Sequence, residues 1–254
     1  MLDASFIYPI SDSRWVPPLV IVPKKGGKWW IFVDYRELNK ATKKDHFPLP
    51  FIDQVLDTLA RKKYFSFLDG YNGYNQISIV PEDQEKTTFT CPWGTFAYSI
   101  LPFGLCNALA TFQQVVISIF VDISHDCMEI YMDDFTTFGV TFEEAMMNLE
   151  KVLIRCQEHN LTLNSEKCFM LMQEGVVLGN FISTVGIQVD LAKIEIIQTL
   201  PIPPKSKDVR SFLGHARYYR CFIRDFNKIA SPLYTLMTKE VEFIWTPKCN
   251  EVFL

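Results

Sequence analysis

A chain of 254 residues that is 48% hydrophobic and 21% charged has the means to bury a real core, which excludes wholesale disorder. Its net charge of −4 excludes a uniformly basic nucleic-acid binder, yet the charge is segregated along the chain. Residues 24–63 hold ten Lys/Arg against five Asp/Glu and residues 193–228 hold eight against three, whereas residues 122–150 hold eight acids and no Lys or Arg.

The N-terminus, MLDASFIYP, lacks a basic region followed by an apolar run, so no secretory signal is expected. Residues 15–27 (WVPPLVIVPKKGG) read as a strand punctuated by proline, and residues 28–40 (KWWIFVDYRELNK) as its continuation closing on a charged turn. Residues 50–60 place Ile52, Val55, Leu56 and Leu59 on one helical face behind Pro50. Residues 64–69 (YFSFLD) read as a strand ending in the turn-rich GYNGYNQ, followed by short strands QISIV, KTTFTC and GTFAYSIL. The stretch 87–121 has no charged residue, but Pro92, Gly94, Pro102, Gly104 and Asn107 interrupt it, and no ~20-residue membrane helix fits. Its second half, 104–120, carries Leu105, Leu109, Phe112, Val116 and Ile119 at helical spacing and reads as a core helix. CMEIYMDDFTTFG reads as a β-hairpin with its aspartates at the turn. Thr141-Phe-Glu-Glu144 is a capping box opening a helix to about His159. VVLGNFIS (176–183) reads as one more strand, and two helical patterns flank PIPP, around 191–200 and 207–224. Strands and helices mix without regular βαβ alternation, which predicts an α+β fold with an antiparallel sheet packed on helices.

Seven cysteines are scattered without a CxxC pair, which predicts reduced thiols in an intracellular setting. The one metal-like spacing, Cys156-Gln-Glu-His159, falls on a helical pattern and reads as structural ahead of zinc.

EIYMDDF (129–135) places two adjacent carboxylates, Asp133 and Asp134, in an otherwise apolar hairpin. Two such groups stay charged side by side only if something positive joins them. A divalent ion does so, since Mg²⁺ takes one or two carboxylates plus substrate phosphate oxygens. Two ions about 3.5–4 Å apart would clamp an in-line phosphoryl transfer. Asp69, closing FSFLD, is the natural third carboxylate. An Asp pair alone is most often an exposed turn; the strand-terminal Asp69, the acidic centre and the basic arms are what favour a polymerase geometry.

Here the chain resembles a known family. Tyr131-Met132-Asp133-Asp134 is the YMDD signature of reverse transcriptases. Around it, in order, stand VDYRELNKATKKDHFPLP (33–50), FSFLDGYNGYNQI (65–77), KTTFTCPWGTFAYSILPFGLCNA (86–108), LTLNSEKC (161–168), VVLGNFIS (176–183) and VRSFLGHARYYRCFI (209–223). Together they resemble the Pol polyprotein of a gypsy-type (Metaviridae) LTR retrotransposon, particularly those of plants, across essentially the whole chain.

The resemblance implies a polymerase right hand: fingers over 1–63, a ferredoxin-like palm over 64–190 with inserted fingers strands at about 79–102, and thumb helices over 191–240. The reverse transcriptase core would span about 23–182, with 241–254 the truncated start of an RNase H-like region. It implies RNA-directed DNA polymerisation with two Mg²⁺ or Mn²⁺ ions on Asp69, Asp133 and Asp134. Tyr74 matches the aromatic gate that excludes a ribose 2′-hydroxyl, with Phe103 in the pocket beside it. Lys167 matches a lysine that protonates the leaving pyrophosphate. Lys24, Lys25 and Lys28 fall where the fingers loop meets the triphosphate, and Met132 near the nucleotide. Arg36 and Asn39 align with template contacts, Leu178 and Gly179 with the primer grip, and Tyr131 with the primer end. The implied partners are an RNA or DNA template with its primer and dNTPs. RNase H catalytic acids, integrase and protease are not in the chain, which begins partway into the fingers and reads as a fragment of a decaying genomic copy. The implied location is the cytoplasm, in virus-like particles, or the nucleus, with no membrane partner; the oligomeric state is left open.

Four departures stand out: Trp30 where the family usually has Arg, Leu109 and Arg14 where it has Pro, and Asn180 where it has His. Trp30 and the truncations favour the alternative reading, a catalytically impaired remnant that binds nucleic acid at most, whereas the three aspartates favour the enzyme. An RNA-dependent RNA polymerase is disfavoured by YMDD in place of Gly-Asp-Asp and by the bulky Tyr74.

Overall fold

The computed structural model describes residues 1–23, 29–71, 73–238 and 242–253, and every strand pair with a defined register in it is antiparallel. The chain divides into two compact units, Met1–Val177 with Ile182–Gly186, and Leu178–Phe181 with Ile187–Leu254.

In the first unit, β1 (Ile7–Pro9), β2 (Leu19–Pro23) and β3 (Trp29–Val33) precede the helices α1 (Arg36–Ala41) and α2 (Ile52–Leu59). Then come β4 (Tyr64–Asp69), α3 (Pro81–Gln84), β5 (Phe89–Cys91), β6 (Gly94–Tyr98) and α4 (Ala108–Phe120). The hairpin β7 (Met128–Tyr131) and β8 (Asp134–Gly139) follows, then α5 (Phe142–Glu158), β9 (Phe169–Met172) and β10 (Glu174–Val177). Among the described residues, β2 pairs with β3, a second sheet runs β1-β6-β5, and the largest runs β7-β8-β4-β9.

That largest sheet carries the core. Its strand β8 is buried from Phe135 to Gly139, and α4 and α5 contribute Phe112, Val116, Phe120, Leu149 and Val152 to one cluster with Leu68, Met128, Ile130 and Phe135. Burying one such side chain contributes about 1.5–3 kcal/mol, so this cluster fixes the sheet's geometry. α5 approaches β8 so closely that a Cβ at Gly139 would lie 2.4 Å from the Ala145 nitrogen. The capping box forms with a variation: Thr141 Oγ1 accepts from the Glu144 N–H at 3.2 Å, while Glu144 Oε2 accepts from the N–H of Val140 rather than of Thr141.

Several elements differ from the sequence expectation. Residues 36–41 are a helix and not a charged turn, because Asp34 Oδ1 accepts the Arg36 N–H at 3.2 Å and starts the coil of RELNKA. QISIV makes no strand; Ser78 has only an isolated bridge to Ile100, and Pro81 opens a short helix instead. The helix expected over 104–120 begins at Ala108, because Gly104 at φ +106° cannot belong to it. VVLGNFIS is broken into β10 and β11 (Asn180–Ser183) by positive φ at Leu178 (48°) and Gly179 (71°). The edge strand β9 and the short β1 have no counterpart in the sequence reading.

In the second unit, the chain continues from β12 (Gly186–Val189) into α6 (Leu191–Gln198), α7 (Ser206–Tyr218), α8 (Phe226–Ile229), α9 (Ser231–Thr235) and α10 (Pro247–Phe253). Its core is Val209, Phe212, Leu213, Phe226, Leu233, Leu236 and Cys249. No helix among the described residues is long and apolar enough to cross a membrane. Cys156 lies in the core of the first unit, where burial pushes its thiol up to about 11. It is a packing residue there.

Candidate active site

Strand register brings the three acidic residues to one corner. Asp69 ends β4, Asp134 begins β8, and the two are direct cross-strand partners. Tyr131 pairs with Asp134, which leaves Met132 and Asp133 as a two-residue turn. Met132 has φ +59°, a conformation costing a non-glycine residue about 1–2 kcal/mol and normally given to glycine in this kind of hairpin turn. Two hydrogen bonds hold it. Gln113 Oε1, buried on α4, accepts the Met132 N–H at 2.7 Å, and the Gly70 N–H donates to the Asp133 carbonyl at 3.0 Å. The Nε2 of Gln113 has no partner among the described residues.

The sequence reading missed Gln113. Its signal was a polar residue in the uncharged run 87–121, beside Phe112 on the buried face of a helix.

Asp69 is anchored on its other side by the segment 164–168. The Asn164 N–H donates to the Asp69 carbonyl at 2.8 Å, and Cys168 Sγ accepts the Asp69 N–H at 3.5 Å. Lys167 Nζ reaches both carboxylate oxygens of Asp69, at 3.1 and 3.3 Å. That bond raises the Lys167 pKa, and the charges of Asp69, Asp133 and Asp134 raise it further. Desolvation raises Asp134, followed by repulsion from Asp133 and Asp69, with Lys167 pulling the other way. The four side chains therefore form one electrostatic unit in which negative charge is in excess. As placed, no three ligating side chains among the described residues close on a common point. The donor chemistry nevertheless suits a hard divalent cation: carboxylates only, brought to neighbouring positions by strand register, with a repulsion that a cation relieves.

Tyr74 stands in the turn Gly73–Gln76 after β4. Its ring meets Phe112 at 5.4 Å between centroids and Phe103 edge-on at 6.1 Å. A Cβ at Gly73 would lie 2.7 Å from the Phe112 ring, so only glycine lets the turn come this close. Burial raises the Tyr74 pKa, and the Asp133 charge raises it further. Phe103 is exposed and touches Tyr74 on one side and Phe32, at 6.1 Å, on the other. Tyr131, Met132, Asp133, Asp134, Asp69, Lys167, Tyr74 and Phe103 thus cluster within the first unit.

Arg36 clasps Asp34 through three side-chain contacts, Nε to Oδ1 at 2.8 Å and to Oδ2 at 3.1 Å and Nη2 to Oδ2 at 2.6 Å, which draw the Asp34 carboxyl down to about 2. Asn39 bonds the backbone of the segment after Phe103. Leu178 and Gly179 belong to the second unit, where Tyr219 Oη donates to the Gly179 carbonyl at 3.3 Å and Asn180 Nδ2 donates to the Leu178 carbonyl at 3.1 Å. Lys24, Lys25 and Lys28 lie outside the described residues, as does the side chain of Trp30. Leu109 is the second residue of α4, and Arg14 is exposed ahead of β2.

Residues 22–216 match the sequence profile of the family described as reverse transcriptase (RNA-dependent DNA polymerase). The chain is 37% identical over 250 residues to the retrovirus-related Pol polyprotein from transposon 412 of Drosophila melanogaster, covering 96% of this chain and 20% of that protein. It is 32% identical over 230 residues to the Tf2-3 transposon polyprotein of Schizosaccharomyces pombe, covering 91% of this chain and 17% of the other. It therefore spans about a fifth of the length of these relatives. Among solved structures, the foamy viral protease-reverse transcriptase in complex with double-stranded DNA matches at 28% identity and a TM-score of 0.90, over 99% of this chain and 44% of that one. The same enzyme in complex with an RNA/DNA hybrid matches at 27% identity and a TM-score of 0.85, over 99% and 34%.

Proposed function

Because this chain belongs to the reverse transcriptase family, we propose that it is the polymerase portion of a retrotransposon Pol polyprotein, an RNA-directed DNA polymerase. The ordered sequence blocks support a gypsy-type LTR element, of plant origin. Fingers over 1–63, palm over 64–190 and thumb over 191–240 would be the corresponding regions, with 241–254 the start of an RNase H-like region.

The observation that carries the reading is the corner where Asp69 and Asp134 are register partners beside the Met132–Asp133 turn. Asp69, Asp133 and Asp134 would hold two Mg²⁺ or Mn²⁺ ions. When bound, such ions supply a polarised nucleophile and charge neutralisation for in-line phosphoryl transfer. The primer 3′-hydroxyl gives up its proton to solvent and its oxygen joins the α-phosphorus of a dNTP, while the bond from that phosphorus to the oxygen bridging to the β-phosphate breaks and pyrophosphate leaves. Lys167, which bonds the Asp69 carboxylate, would give the leaving pyrophosphate a proton. Tyr74, packed against Phe112, sets a wall against the sugar, and Phe103 faces the same pocket. Lys24, Lys25 and Lys28 would meet the triphosphate and Arg36 the template. Leu178, Gly179 and Tyr131 would meet the primer. The basic stretches 24–63 and 193–228 supply sequence-independent phosphate contacts.

The test is extension of oligo(dT) on poly(rA) with Mg²⁺ or Mn²⁺, alongside thermal melting with and without metal. The expected outcome is incorporation by the parent and a loss of about 10³-fold or more in Asp133→Asn, since a transition-state contact of this kind contributes several kcal/mol. Metal should raise the melting temperature of the parent and not of Asp133→Asn. Equal incorporation by both proteins, or equal metal shifts, would overturn the assignment.

A further inference from the structure

Asn39 was expected, by resemblance, to touch the template, but its amide is engaged inside the protein at both ends. Nδ2 donates to the Gly104 carbonyl at 2.8 Å, and Oδ1 accepts the Cys106 N–H at 2.8 Å. We propose that Asn39 is a positioning residue: its carboxamide spans the backbone from Gly104 to Cys106 and so sets where Phe103 stands in the nucleotide pocket. This rests on the polymerase reading above.

The local backbone explains why an amide is needed there. β6 ends at Tyr98 and α4 begins at Ala108, so Gly104 and Cys106 lie between a ladder and a helix and lack the partners either would give. Gly104 also turns at φ +106°, where a Cβ would lie 3.5 Å from the ring of Tyr35. One carboxamide offering a donor and an acceptor substitutes for a strand neighbour across this gap. Tyr35 fixes the other side of α1, through its hydroxyl on the Thr87 carbonyl at 2.9 Å.

A second carboxamide repeats the device in the opposite direction. Asn107 Oδ1 accepts the Asp45 N–H at 3.0 Å, and its Nδ2 donates to the Lys43 carbonyl at 2.9 Å. The segment that follows α1 and the loop before α4 are thus fastened reciprocally, by one amide from each. Phe103 itself is exposed and contacts Tyr74 and Phe32 only at 6.1 Å between ring centroids. Two ring contacts at the surface orient the side chain, while its Cα is set by the backbone that Asn39 holds. The aromatic pocket is therefore built from α1 as much as from the turn that carries Tyr74.

Asn39→Ala and Asn39→Asp, measured by amide hydrogen exchange, nucleotide KM and template–primer Kd, test this. Loss of both bonds in Asn39→Ala should speed exchange at the Cys106 amide by about tenfold and raise KM for dNTP by a similar factor, because two backbone groups lose their partner. Template–primer Kd should stay within about twofold, since no phosphate contact is lost. Asn39→Asp keeps the acceptor, so Cys106 should stay protected, while its second carboxylate oxygen opposes the Gly104 carbonyl and KM should still rise. Unchanged exchange in Asn39→Ala would overturn the proposal. So would a tenfold weaker Kd with unchanged KM, the signature of a direct template contact. If the parent incorporates no nucleotide at all, the polymerase reading falls with the pocket role. The exchange measurement still decides separately whether Asn39 holds the loop.

Discussion

Two two-residue turns in this molecule use backbone that L-amino acids avoid, and they are held in different ways. The turn Met132–Asp133, between β7 and β8, puts Met132 at φ +59° and is tied down from beneath by the buried Gln113. The turn Leu178–Gly179, between β10 and β11, has Leu178 at φ +48° and Gly179 at φ +71°. Glycine removes the penalty at one of these positions, and the Tyr219 hydroxyl and the Asn180 amide bond the two carbonyls. The first turn carries the Asp133 carboxylate, with Asp134 beside it at the start of β8, and glycine takes no part in it; the second carries no charge, and glycine takes one of its two left-handed positions. Local strain persists only where the surroundings over-determine it, and the buried amide of Gln113 does so for the first turn.

The sharpest way to break this contrast is Gln113→Leu, which leaves the Met132 N–H without its acceptor. The expected loss is about 1–3 kcal/mol of stability in urea unfolding. Nucleotide incorporation should fall about 10²-fold, because displacement of the Asp133 carboxylate misaligns the reacting groups. A stable variant with parental activity would show that the turn holds itself.

Gly179→Ala should cost about 1–2 kcal/mol, since a Cβ there is strained at φ +71° and would also displace the Lys193 ammonium. Template–primer Kd should rise while KM for nucleotide changes little, the reverse of the pattern expected for Asn39→Ala. An effect on KM alone would detach this turn from the primer.

The smallest effect is expected of Met132→Gly, which relieves the left-handed strain and should gain up to about 1 kcal/mol in thermal melting. A lower melting temperature would show that side-chain packing of Met132 outweighs its backbone strain.

Much of the corner was legible in the sequence because its signals are local. The alternation in YFSFLD and the apolar flanks of YMDD mark strands of period two, and the adjacent aspartates mark the turn between them. Thr141 to Glu144 announces a helix within four residues, and α5 begins there. By contrast, the helix α1 lay hidden behind a strand-like start, because Asp34 decides the matter through a single side-chain bond to the Arg36 N–H. VVLGNFIS was read as one strand because two residues in left-handed conformation, one of them a leucine, leave no compositional trace of a turn.

The sequence by itself determined the antiparallel α+β class, the hairpin, the three acidic residues and the segregated charge, since each depends on residues close in the chain or on motif identity. Only the tertiary structure decided that Asp69 and Asp134 are cross-strand partners, that Gln113 bonds the turn nineteen residues away, and that Asn39 bonds backbone 65 and 67 residues away. Periodicity reports which face a side chain lies on, and a carboxamide on a half-buried face reads the same whether it meets water or a distant peptide group. Its partner is chosen by the packing of α1 and α4 against what lies beside them, which no local pattern encodes.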